Sequence, residues 1–153
     1  MDRLKLIALD AEDLAVLSAH LQDAVMTVGD MAYLPREKRF ALVANRFDWE
    51  AAVQAEVTGA PNGRTPCVRR RAGMHLERVL SARVRGIDLA QKQGVLNLLA
   101  VQFDEAQAPS GTVSFLFSGG GEVQLEVECL EVGLEDLGPA WDAKGVPCHV
   151  PAP

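Results

Sequence analysis

Leu14, Leu17, Leu21 and Val25 recur at steps of three, four and four residues, the period of one helix face. The segment "DAEDLAVLSAHLQDAV" that carries them predicts a helix. Asp10 is its expected N-cap, because a carboxylate there accepts from the free N–H groups of the first turn. Glu12 and Asp13 follow where the helix dipole favours negative charge. The preceding "LKLIAL" reads as a short strand or an extended arm. From Met26 the pattern becomes short and β-like. "MAYL" and "FALVANRF" are separated by the charged turn "PREKR". "DWEAAVQAE" suits a short helix capped by Asp48 or a continuation of the preceding strand. "TGAPNGRTP" is a loop, with Asn62-Gly63 as its turn dipeptide.

The second half reads mostly as β. "CVRRRAGMHLERVLSARVRGID" predicts two strands or one long bent one. "GVLNLLAVQF" is apolar at nearly every position, as expected of a central strand covered on both faces. "DEAQAPSG" reads as the loop after it. "TVSFLF" and "EVQLEVE" flank three consecutive glycines, and Val123, Leu125 and Val127 alternate with Gln124 and Glu126. After Glu128, the 3- and 4-residue spacing of Val127, Leu130, Leu134 and Leu137 predicts a short closing helix, weakened by about 1 kcal/mol at Gly133. "GPAWDAKGVPCHVPAP" reads as an irregular tail, with Trp141 anchoring its start.

These elements sum to an α+β domain: an N-terminal helix, about six or seven mainly antiparallel strands and a short C-terminal helix. A partly open barrel of pleckstrin-homology-like form is the matching topology. The expected division is one domain over residues 1–141 and a tail over 142–153. The length of 153 residues fits one domain able to bury roughly 70% of its unfolded surface without a disulfide or metal. Apolar residues at 48% and charged residues at 24% are ordinary for a globular protein. The net charge of -6 disfavours nucleic acid as a partner. No apolar run approaches the roughly 20 residues that span a bilayer. With Cys67, Cys129 and Cys148 too few and too scattered for a secreted disulfide framework, this makes the expected location cytoplasmic, with no membrane partner.

Gly119 to Gly121 pose the sharpest chemical question. A phosphate cradle needs a strand before the glycines and a helix N-terminus after them. Here a strand pattern follows, and no Lys or Arg lies between Lys92 and Lys144. A hairpin turn explains every residue instead. Cys148 and His149, with Cys67 and His75, are metal-ligand types, yet their spacing matches no zinc pattern. Cys67, close to Arg64, Arg69, Arg70 and Arg71, is the only thiol with an electropositive neighbourhood. Cys129, beside Leu130, reads as an ordinary buried thiol. No catalytic set, metal site or cofactor is therefore expected.

Charge placement is more informative. Arg64 to Lys92 holds eight basic residues against Glu77 and Asp88, whereas Asp104 to Asp142 holds nine acidic residues and no basic one. Strands of opposite charge pair naturally, so solvated faces with cross-strand ion pairs account for the pattern. The sharper reading is a recognition surface in which Arg69, Arg71, Arg83 and Arg85 hold a carboxylate, a phosphate or an acidic partner with their bidentate forks.

"AYLPREKRFALVANRFDWE", "LERVLSARVRGID" and "FSGGGEVQLEVECLEVGLEDLGPAW" resemble a bacterial family known as a domain of unknown function. The resemblance runs from about Leu4 to Trp141. It implies a bacterial, cytoplasmic, single-domain protein and brings no activity, cofactor or catalytic residue with it. The functional expectation is a non-enzymatic interaction or regulatory module that self-associates or binds a protein partner. The alternative is a binding protein or enzyme for an anionic small molecule, held by the four arginines.

Overall fold

The computed structural model describes residues 4–48, 68–138 and 141–142. One helix and eleven strands follow the order β1 (Lys5–Ala8), α1 (Ala11–Leu21), β2 (Ala24–Thr27), β3 (Met31–Leu34), β4 (Arg39–Phe47), β5 (Val68–Leu76), β6 (Val79–Arg85), β7 (Val95–Gln107), β8 (Ser110–Phe117), β9 (Glu122–Val127), β10 (Val132–Asp136) and β11 (Trp141–Asp142). All pairings are antiparallel, in the order β1-β10-β5-β4-β2-β7-β8-β9-β6, with β3 added to β4 and β11 to β5. The α+β class stands, with more strands than expected. The strand order does not establish a pleckstrin-homology-like barrel.

The sheet curls onto itself. Phe40 of β4 and Phe115 of β8 stand three strands apart in the order, roughly 14 Å in a flat sheet at about 4.8 Å per strand. Their ring centroids nevertheless lie 5.6 Å apart. One face of every long strand therefore turns into a common core, which α1 closes with Leu14, Leu17 and Leu21. Arg78, with φ 62, makes the corner at which the chain leaves β5 for the other half of the sheet.

Several sequence readings hold in detail. Asp10 caps α1 by accepting from the Asp13 N–H at 2.8 Å. Pro35 to Lys38 turns between β3 and β4, closed by the Lys38 N–H on the Pro35 carbonyl. The glycines join β8 to β9, with Gly119 at φ 83 and Gly120 at φ 93, and the Phe117 N–H donates to the Gly121 carbonyl.

Others are corrected. The helix stops at Leu21 rather than reaching Val25, because Asp23 adopts φ 65 and its N–H donates to the Leu98 carbonyl. That interaction starts β2, so Val25 belongs to a strand. Strand β7 is not covered on both faces: Leu98 and Val101 are buried, whereas Val95 and Leu99 are exposed. It also runs through "DEAQ", which the sequence assigned to a loop. The expected closing helix is strand β10. Leu130, Val132, Leu134 and Asp136 are all buried at a two-residue period, which the ionised Asp136 had hidden. The segment 49–56, the loop after it, Cys67, Cys148 and His149 lie outside the described residues.

Candidate functional site

The charge blocks of the sequence become neighbouring strands. Basic β5 lies against acidic β10, and basic β6 against acidic β9. The four arginines divide into two pairs. Arg69 and Arg71 sit two apart on β5, Arg83 and Arg85 two apart on β6, and β4, β2, β7, β8 and β9 stand between those strands in the sheet order. Arg69 donates to the Asp23 carbonyl at 3.2 Å and covers the Phe47 ring with its guanidinium 5.6 Å from the centroid. Arg71 is exposed opposite Asn45. Arg83 and Arg85 line a shallow pocket of about 160 Å³ with Val84, Glu122 and Gln124. Arg83 also reaches Glu126 at 3.6 Å, an exposed ion pair of the kind that contributes little.

The arginine that sequence reasoning passed over is Arg70, between the two it selected. Arg46 and Arg70 are cross-strand partners on the core side of β4 and β5, and both are buried. The Arg46 guanidinium donates to both carboxylate oxygens of Asp136, at 2.9 Å each, and Arg70 donates to Asp48 at 2.6 Å. Asp136 also accepts from the Leu4 N–H at 2.8 Å. Burial pushes its carboxyl group upward. The Arg46 hydrogen bonds, the Leu4 N–H and the charges of Arg46 and Arg70 together outweigh that effect, so its pKa falls below the ordinary carboxylate value. The signal for this cluster was period-2 alternation, in which Arg46 and Asp48 continue the row Phe40, Leu42, Ala44. Paired with one another and buried, these groups link β4, β5 and β10.

At one end of the sheet, β1 pairs with β10 on one side, and among the described residues no strand pairs with its other side. The Leu4 carbonyl accepts from the Asp136 N–H, so by antiparallel alternation Leu6 and Ala8 also turn their backbone groups to β10. Lys5 and Ile7 turn theirs outward. Beside this edge lies a mainly apolar groove of about 280 Å³, lined by Ile7, Leu9, His75 and Gly133 among others. Gly133 gives the groove its depth, because the His75 ring lies over it where a Cβ would stand. Glu77 accepts from Arg39 at 2.7 Å and faces His75 Nδ1 at 3.4 Å. Ile7 and Leu9 are 64% and 61% exposed, unusual for aliphatic side chains adjoining a strand edge. Among the described residues no group of three or more His, Cys, Asp or Glu side chains forms a metal site, and Cys129 is a half-buried free thiol.

The family model described as "Protein of unknown function (DUF2948)" matches residues 4–149. The chain belongs to this family. No curated protein and no solved structure matches it. DUF2948 membership covers the helix, the whole curled sheet and the buried ionic cluster in one unit, and it assigns none of them an activity. No helix among the described residues is long and apolar enough to cross a membrane.

Proposed function

We propose that this DUF2948 chain is a non-enzymatic interaction module that self-associates through the outer edge of β1. The observation that carries the reading is the strand edge at Lys5 and Ile7, flanked by exposed Ile7 and Leu9. Two copies of β1 running antiparallel about an axis at Ile7 would satisfy those backbone groups and bury both aliphatic side chains. Such an edge, left open, is the feature that sheet proteins ordinarily cover or charge.

The test is the mass in solution by light scattering and native mass spectrometry. The expected result is twice the 16.5 kDa chain mass for the wild type and a monomer for Ile7→Lys, with unchanged circular dichroism. A monomeric wild type at high micromolar concentration overturns it.

A second reading rests on the shared pocket of Arg83 and Arg85, which suits a small carboxylate or phosphate. Arg69 and Arg71 would serve a separate acidic contact on the other half of the sheet. Citrate or phosphate should then raise the melting temperature of the wild type and not of Arg83→Ala. Equal shifts in both dispose of this reading.

A further inference from the structure

Strand β7 is 13 residues long, and among the described residues β2 covers its second edge from Val95 to Leu98 and no strand covers the remainder. Beyond that point α1 lies alongside. Ser18 Oγ accepts from the Val101 N–H at 2.9 Å, so the Val101 backbone faces the helix and not β8. By alternation the backbone groups of Phe103 and Glu105 face the same way, whereas those of Gln102 and Asp104 bond to β8. A groove of about 550 Å³ separates helix from strand, within the range of about 300–1,000 Å³ for sites that take ligands. Its helix wall is Ala11, Leu14 and Ala15, and its strand wall includes Val101, Phe103 and Asp104. The two alanines keep the helix surface low, leaving width for another backbone.

Charge selects the occupant. From Asp10 to Val25 the chain has no Lys or Arg, and β7 has none along its length. Glu12, Asp104 and Glu105 are exposed on the two elements that form the groove. A strand edge that is free among the described residues, a helix wall of Ala11, Leu14 and Ala15, and Asp104 in the lining between two elements that carry no Lys or Arg together describe a receptor for an extended chain, in which backbone hydrogen bonds supply affinity and alternate side chains supply specificity.

We propose that the groove between α1 and the free edge of β7 binds an extended peptide with alternating apolar and basic residues, which adds to β7 as a further strand. Apolar residues of the peptide share the face of Phe103 and lie against Ala11 and Ala15, and the alternate Lys or Arg residues share the face of Asp104. The surface is separate from the β1 edge, so neither association requires the other.

The test pans a phage-displayed library of random ten-residue peptides on the full chain, with Ala15→Trp as the counter-target. Ala15 is exposed, so the indole fills the groove without entering the core. Enriched peptides should alternate apolar with Lys or Arg and bind Ala15→Trp at least about tenfold more weakly by fluorescence anisotropy. N-methylation of alternate peptide residues should abolish binding in one phase and leave it in the other. The Phe103 and Glu105 amides should exchange quickly in the free protein and become protected with peptide. Ile7→Lys should bind the same peptides unchanged, which separates this site from the β1 edge. No enrichment, equal binding to Ala15→Trp, indifference to N-methyl phase, or slow exchange of both amides in the free protein each overturns the proposal.

Discussion

Arg46 grips both carboxylate oxygens of Asp136 across 90 residues of sequence, at 2.9 Å each, with both side chains almost fully buried. β4 and β10 are not neighbours; β5 lies between them. The pair thus spans three strands on the core side, and through the Leu4 N–H it fixes the start of β1 as well. Removing one partner leaves a buried charge uncompensated. Asp136→Ala or Arg46→Ala should each lower unfolding free energy by about 3–5 kcal/mol in urea denaturation, while Arg46→Met with Asp136→Leu should recover much of the loss.

The same carboxylate sets a pH dependence. Its pKa is lower in the folded chain than in the unfolded one, so its contribution is present above the unfolded carboxylate value and is lost as pH falls through the folded one. Wild-type stability should decline on acidification through the carboxylate range, and Asp136→Asn should flatten that decline. Melting curves of both proteins from neutral to acidic pH check this. An equal slope in the two would reassign the acid sensitivity to other groups.

Glycines in adjacent positions should respond differently to alanine. Gly119 and Gly120 hold positive φ with open space around them, so each substitution should cost about 1–2 kcal/mol through the backbone alone. Gly121 has φ -68, and an added Cβ would instead meet Ile87 Cγ1 at 2.9 Å. Its loss should be relieved by Ile87→Ala, whereas those of Gly119 and Gly120 should not. Urea titrations of the single and double variants decide between the two causes.

Gly111 and Gly133 make a second contrast. A Cβ on Gly111 would stand 2.5 Å from the Asp104 carbonyl oxygen and 2.7 Å from Phe103 Cε1, so fixed backbone must move. A Cβ on Gly133 would meet the tip of the exposed His75 ring, which can swing aside. Gly111→Ala should destabilise by about 1–3 kcal/mol and Gly133→Ala by less. The Gly133 variant should also shift the His75 ring resonances in NMR spectra.

Ser18→Ala tests how α1 seals β7. It removes the acceptor for the Val101 N–H and should cost about 1 kcal/mol, with faster exchange of that one amide. Exchange spreading along the whole of β7 would instead show that the helix dissociates as a unit.

Local signals determined local structure. Asp10 with the leucine stripe is enough to start a helix, because capping and periodicity act within a few residues. Pro35 to Lys38 and the glycines made their turns for the same reason, since φ preferences are carried by the residues themselves. The sequence also determined the opposite charges that neighbouring strands would share. Tertiary structure decided what spacing could not express. Whether Leu130 to Leu137 formed helix or strand depended on Asp136 being buried, and that depended on a guanidinium 90 residues away. The selected arginines separated because β5 and β6, though consecutive, enter different halves of the sheet. The β1 edge and the α1–β7 groove were equally invisible in the sequence. An unpaired edge is a property of strand order, and a groove is a property of how far one strand outruns its neighbour.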